Sequence, residues 1–232
     1  MSRPPDRLAV LGAMLDVGLV PIYTAPDLAS ALGVVRASRD AGARVVEFTN
    51  RGAGAYDVFG ELAATVRRDH PDVILGVGTI VDAPTAALFV AAGAAFVVGP
   101  TLSREVALLC NRRRVPYLPG CLTATEISDA EELGCEIVKL FPQASIDGPA
   151  FVRNLLGPMP GSRVMPTNIS VEPAVIRAWI EAGAAALGAG GALVSPDILA
   201  RADWAELSSR TEAALRALRE ARAQRDAPDG GG

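Results

Sequence analysis

Eight short, mostly apolar runs rich in β-branched residues recur along the chain: LVPIYTA (19–25), RVVEFTN (44–50), VILGVGTI (73–80), AFVVGP (95–100), VPYLPGC (115–121), EIVKLFP (136–142), RVMPTNI (163–169) and AAALGAG (184–190). Each has the length and composition of a buried strand. Between them lie segments of helical period: PDLASALGVVRASRDAG, AYDVFGELAATVRRD, DAPTAALFVAAG, SREVALLCNRRR, TATEISDAEELG, GPAFVRNLLG and VEPAVIRAWIEAG. Asp27, Asp82, Ser103, Thr123 and Ser170 stand near the predicted helix starts, where a side-chain oxygen can accept from a first-turn amide. Gly42, Gly93, Gly134 and Gly183 stand at the stops before the next strand. Apolar strands alternating with helices predict a parallel sheet covered by helices. Eight such units predict a (β/α)8 TIM barrel, with its chemistry at the C-terminal ends of the strands. A doubly wound open sheet is the alternative, because the pattern gives order and not closure.

RLAVLGAMLDVG, ahead of the first strand, has a helical apolar pattern and is expected to cover the barrel bottom. SPDILARADWAELSSRTEAALRALREARAQ supplies one or two closing helices. Residues 1–221 are therefore expected to form a single domain, and the polar, glycine-ended segment 222–232 a flexible tail.

Composition narrows the chemistry. The 232 residues are 50% hydrophobic and 21% charged, enough for one large core, and the net charge of −4 comes without a basic block or interleaved aromatics, so nucleic acid is not an expected partner. No run approaches the roughly 18 apolar residues of a membrane helix, and the N-terminus lacks the features of a secretory signal, so the cytoplasm is the expected setting. Cys110, Cys121 and Cys135 form no CxxC pair and His70 is the only histidine, so neither a disulfide framework nor a metal site is expected.

If the strands form a barrel, the polar residues at their ends converge on one mouth. They are Glu47, Thr49, Asn50 and Arg51 after the second run, Thr79 in the third, Lys139 in the sixth, Thr167 and Asn168 in the seventh, and Gly188, Gly190 and Gly191 in the eighth. Lys139 is the only lysine, leaving 21 of the 22 basic residues as arginines. An ordinary lysine in a barrel wall lays its stem along apolar surface and carries its head to water. A chain that meets nearly all its basic needs with arginine, yet keeps one lysine inside a strand, points to chemistry that arginine cannot perform. An ammonium among apolar neighbours, here Ile137, Val138, Leu140 and Phe141, and near a second cation such as Arg51, can lose its proton and attack a carbonyl. Glu47 and Arg51, four apart in EFTNR, are compatible with a simple ion pair. They are equally compatible with a proton-transferring carboxylate and a guanidinium that grips a substrate carboxylate. Thr79 and Thr167 can orient carboxylate or hydroxyl groups.

VVEFTNR, GVGTI, VPYLPGC, EIVKLFP and the final G-x-G-G turn, in this order from about Leu19 to Val194, resemble the class I pyruvate aldolases. These act on 2-keto-3-deoxy-6-phosphogluconate (KDPG) and 4-hydroxy-2-oxoglutarate (KHG). The resemblance implies a (β/α)8 barrel assembled as a homotrimer, needing no metal or other cofactor and taking a small keto acid and an aldehyde as partners. It implies Lys139 as the imine-forming lysine, Glu47 as general acid/base and Arg51 as carboxylate ligand. Thr79 and Thr167 match further substrate-binding positions, and Pro100 and Phe141 match walls of the site.

Two segments depart from the family pattern. Where the family carries P-T-G-G, this chain has Pro166-Thr167-Asn168-Ile169, and its final turn, GAGGAL (188–193), lacks the serine often found there. Gly52 also stands where a threonine follows the family's arginine. Glycine amides that approach a phosphate are thereby reduced, although Gly190 and Gly191 still offer donors. An aldolase for an unphosphorylated sugar acid is one alternative. A barrel that binds a keto acid or sugar phosphate without turnover is another, and a proton-transfer isomerase or metal-dependent aldolase a third.

Overall fold

In the computed structural model, which describes residues 6–227, all eight apolar runs contain parallel strand. They are β1 (Leu19–Tyr23), β2 (Val45–Thr49), β3 (Ile74–Gly78) and β4 (Val97–Val98), then β5 (Tyr117–Leu118) and β6 (Gly120–Cys121), and finally β7 (Val138–Leu140), β8 (Val164–Pro166) and β9 (Leu187–Ala189). The fifth run yields two strand pieces because Pro119, which has no N–H to donate, interrupts it. β5 pairs back to β4 and β6 pairs forward to β7, while the carbonyl of Pro119 accepts from Lys139 N at 3.0 Å. The result is a six-stranded sheet ordered β5-β4-β3-β2-β1-β9 and a three-stranded sheet ordered β6-β7-β8. A parallel bridge between Thr167 and Gly188 links the latter to β9.

Helices intervene: α1 (Arg7–Val17), α2 (Leu28–Asp40), α3 (Ala55–Asp69), α4 (Ala83–Ala92), α5 (Arg104–Arg113), α6 (Ala124–Glu132), α7 (Gly148–Leu156), α8 (Pro173–Glu181), α9 (Pro196–Arg201) and α10 (Trp204–Arg225). Asp27, Asp82, Ser103 and Thr123 cap helices with their side chains, as their sequence positions predict. Ser170 does not. Pro173, whose fixed φ suits a first helical position, sets the start of α8, and the Ser170 hydroxyl instead accepts from Glu172 N at 3.3 Å. The expected tail is also corrected, since α10 continues through Arg225. Arg222 donates to the carbonyls of Leu15, Asp16 and Ala185, tying this helix to the opposite end of the chain. Residues 228–232 of that segment lie outside the described residues.

Alternation along the strands divides the interior into two cores. Leu19, Val46, Phe48, Leu75, Val77, Val97, Val138, Leu140, Val164 and Leu187 face the helices. Val20, Val45, Ile74, Phe96, Val98, Leu118, Ile137, Met165 and Ala186 cluster on the other face with Val10, Leu11, Ala13 and Met14 of α1. The N-terminal helix thus plugs the end where the strands begin, and complete burial of a side chain such as Met14 contributes roughly 1.5–3 kcal/mol. Two residues farther along the same strand faces stand Glu47, Lys139, Thr167 and Gly188, one layer above this apolar floor. No helix among the described residues is long and apolar enough to cross a membrane.

Candidate active site

Glu47 lies on the inward face of β2, above Val45, and is only 1% exposed. Its Oε2 has no hydrogen-bond partner among the described residues. A buried, unpaired carboxylate is costly, and burial accordingly raises its pKa, with the positive charges of Lys139 and Arg51 opposing the rise. Lys139, above Ile137 on β7, is 8% exposed, and burial lowers its pKa; the charge of Glu47 opposes that shift and Arg51 reinforces it. No ion pair of 4.0 Å or less joins Lys139 or Arg51 to Glu47. Carboxyl and amine therefore sense each other without neutralising each other, an arrangement suited to proton transfer and nucleophilic attack.

The surroundings of Lys139 differ in part from the sequence reading. Val138 and Leu140 face the helices, so Ile137 and Phe141 alone of its four strand neighbours lie on its side. The Lys139 Nζ stands 4.8 Å from the centroid of the Phe141 ring, whose face favours the ammonium. Gly120 pairs with Lys139 across the ladder, and any side chain there would collide with the carbonyl of Pro100, so Pro100 borders the same site.

Arg51 is exposed at the rim, and its Nε donates to Thr79 Oγ1 at 3.2 Å. Its two terminal nitrogens have no partner among the described residues, leaving the planar end of the guanidinium available to a carboxylate. Thr79 holds φ at 64° and Asn168 at 58°, a left-handed conformation uncommon outside glycine. Thr79 directly follows β3, and Asn168 lies two residues past β8. Thr167 buries a hydroxyl with no partner among the described residues, as Glu47 does its carboxylate oxygen. Gly188 faces Thr167, where a Cβ would come within 2.7 Å of its methyl group. Asn168 is exposed, with Oδ1 3.4 Å from where a Cβ on Gly190 would lie; Gly190 and the exposed Gly191 open the turn that follows.

Three contributors escaped the sequence reading. Thr24, directly after β1, shares a short hydrogen bond with the Thr49 hydroxyl, which in turn donates to Tyr23 O at 3.1 Å. Gln143 Nε2 donates to the carbonyls of Thr167 and Asn168 at 3.4 and 3.5 Å, bracing the left-handed turn. Gly78 is the third: a Cβ at this position would overlap the Glu47 carboxylate, so the glycine makes the space that this side chain fills. The paired glycines of GVG were the available signal, since a glycine inside a strand often marks a close approach. No group of three or more His, Cys, Asp or Glu residues able to hold a metal ion occurs among the described residues.

A sequence profile described as the aldolase family "KDPG and KHG aldolase" matches residues 12–225. The chain is 34% identical over 161 residues to a 2-dehydro-3-deoxy-phosphogluconate aldolase of Treponema pallidum, covering 69% of this chain and 75% of that one. It is 26% identical over 197 residues to the KHG/KDPG aldolase of Escherichia coli K12, covering 85% and 90%. Among solved structures, a 4-hydroxy-2-oxoglutarate/2-dehydro-3-deoxyphosphogluconate aldolase from TTHB1 superposes with a TM-score of 0.75 at 31% identity, over 92% of this chain and 99% of the other. A KDPG aldolase from Legionella pneumophila shares the fold, with a TM-score of 0.80 at 24% identity over 90% and 98%.

Proposed function

Because the chain belongs to the KDPG and KHG aldolase family, we propose that its reaction runs through an imine on Lys139, with Glu47 moving the protons and Arg51 holding the keto-acid carboxylate. The enzyme is a class I aldolase that cleaves a 2-keto-4-hydroxy acid to pyruvate and an aldehyde. One observation carries the residue assignment: the only lysine and a carboxylate with an unpartnered buried oxygen share the inward layer, each biased by burial toward its neutral form.

In this reading, neutral Lys139 attacks the C2 ketone, and protonated Glu47 gives its proton to the carbinolamine hydroxyl, which leaves as water; this yields a protonated imine and the Glu47 carboxylate. Glu47, directly or through a water, takes the proton of the C4 hydroxyl as the C3–C4 bond breaks. The bonding electrons pass into the imine, giving an enamine, and the aldehyde departs. Protonation at C3 and hydrolysis then return pyruvate and the free amine. Thr79 and Thr167 orient the substrate carboxylate and hydroxyls, while Pro100 and Phe141 wall the site. Borohydride reduction in the presence of pyruvate tests this assignment, since a lactyl-sized mass increase is expected on the peptide containing Lys139. Turnover with no trapped adduct would sink the imine.

The same reading takes the sheet as a closed (β/α)8 barrel. Support comes from β5 and β6 flanking Pro119, which pair to opposite neighbours, and from the Thr167–Gly188 bridge between the two sheets. A homotrimer is part of the proposal. Exposed Tyr56, Val81, Leu88 and Leu108 on α3 to α5 and the loop after β3 supply apolar surface for it, and sedimentation equilibrium tests it.

A second reading concerns the aldehyde half. The rim formed by residues 167–172 and 190–191 contains no Lys or Arg, and Glu172 stands at the start of α8, where its charge repels an anion. Both features weigh more against a phosphate dianion than against a monoanion, which favours an unphosphorylated acceptor such as the glyoxylate released from KHG. Comparing kcat/KM for KHG and KDPG decides between the two, with a higher value for KHG expected.

A further inference from the structure

The mouth of the strands is not the only recess in this protein. A cavity of about 540 Å³ opens between the C-terminal halves of α3 and α4 and the loop after α5, on the helix side of the strand β3 that carries Gly78 and leads into Thr79. Its volume is within the range of small-molecule sites, on the order of 300–1,000 Å³. Ala63, Val66, Val73, Leu75 and Val90 make its lining apolar, and three arginines, Arg67, Arg113 and Arg114, line it as well.

None of these arginines forms an ion pair or a side-chain hydrogen bond among the described residues. Arg67 extends over Gly93, where a Cβ would lie 3.7 Å from its Nη1. The single carboxylate in the lining, Asp6, is engaged as the N-cap of α1, accepting from Ala9 N at 2.9 Å. Basic residues in the last turn of a helix are favoured by the helix dipole, which accounts for Arg67 on α3 and Arg113 on α5 taken singly. It does not account for Arg114, which lies past the end of α5 at φ 59°, or for all three arginines lining one apolar recess.

We propose that this cavity binds an amphipathic carboxylate, its apolar body against Val66, Leu75 and Val90 and its carboxylate among Arg67, Arg113 and Arg114. Guanidiniums match a carboxylate in charge and planar geometry, and an apolar lining excludes the small, fully hydrated anions that exposed arginines alone would attract. The site is separate from the Lys139 layer, since its lining side chains Leu75, on β3, and Val73, just before it, belong to the core facing the helices.

Octanoate titrated into the intact protein by calorimetry tests the proposal, with 1-octanol and inorganic phosphate as comparison ligands and an excess of pyruvate present to occupy the catalytic lysine. Saturable one-to-one binding of octanoate is expected, unaffected by pyruvate and at least about tenfold tighter than either comparison ligand. The triple variant R67A/R113A/R114A, confirmed folded by its melting curve, is expected to weaken octanoate about tenfold or more and to cleave substrate at the parental rate. A second variant, Ala91→Trp, fills the recess and is expected to weaken octanoate while leaving the arginines in place. The proposal is overturned by absence of saturable octanoate binding, by displacement with pyruvate, by equal binding of octanol or phosphate, or by full octanoate binding in both variants. Failure of imine trapping at Lys139 leaves these readouts untouched, so this site stands or falls separately from the catalytic assignment.

Discussion

Gly78→Ala adds one methyl group to the inner face of β3, and the structure specifies what that methyl meets. It would lie 2.7 Å from Glu47 Cδ and 3.1 Å from Cγ, and nearer still to Oε1. The backbone of Gly78 is not in the left-handed region, so alanine is compatible with the strand and the strain falls on the glutamate. Restoring ordinary carbon contacts of about 3.5–4.0 Å requires the carboxyl group to retreat by about 1 Å. A misplacement of about 1 Å in a catalytic group costs about 10²-fold, or close to 2.7 kcal/mol of barrier. The fold should suffer less, by about 1–3 kcal/mol from overpacking. The assay follows pyruvate release from KHG beside borohydride trapping with pyruvate at long incubation. Cleavage should fall about 10²-fold while Lys139 remains fully trappable, because the lysine sits on a different strand and has not moved. A Gly78→Ala enzyme that cleaves at the parental rate, with its melting temperature lowered as expected, would refute the claim that this glycine fixes the working position of Glu47.

Further expectations concern Lys139, Arg51 and Asn168. Lys139→Met should abolish trapping and turnover. Because burial lowers the lysine pKa below its usual 10.5, the folded protein binds fewer protons than the unfolded chain between the lowered value and 10.5. Wild type should therefore gain stability relative to Lys139→Met as pH rises through that window, which paired denaturant titrations measure; a constant difference would contradict it. Arg51→Ala should raise KM for the keto acid by about 10-fold or more through loss of a charge-assisted contact, and steady-state kinetics would expose an unchanged KM. Asn168→Ala places a Cβ-bearing residue without a compensating side chain at φ 58° and should cost about 1 kcal/mol, whereas Asn168→Gly should not; thermal melts separate the two.

The eight strand runs were legible because buried parallel strands need near-continuous apolar residues, and the helix starts at Asp27, Asp82, Ser103 and Thr123 because capping is local chemistry. Ser170 misled because a proline farther on set the helix start. The division of labour within EIVKLFP was only half legible: alternation put Ile137 and Lys139 together, but assigning Val138 and Leu140 to the lysine's surroundings required knowing which face is inward. Glu47, Arg51 and Lys139 could be read as a set because charge at strand ends is conspicuous. Gly78 was legible only as a strand glycine that marks some close approach, and Gln143 not at all. The role of Gly78 is the absence of a side chain beside a residue on another strand, and that of Gln143 is two backbone contacts across to Thr167 and Asn168. Both are relations of the folded chain that no spacing rule encodes.

The plug formed by α1 bears on the timing of catalysis. In the proposed closed barrel, Val10, Leu11 and Met14, packed against the starts of the strands, block the bottom, so substrate and both products share one doorway. In the proposed mechanism pyruvate, tethered to Lys139, stands innermost, and the aldehyde occupies the threshold. The aldehyde must leave first and pyruvate last, so in the synthetic direction pyruvate must enter before its partner. Initial-rate product inhibition should then show this order as pyruvate competing directly with the cleavage substrate, while the aldehyde inhibits noncompetitively.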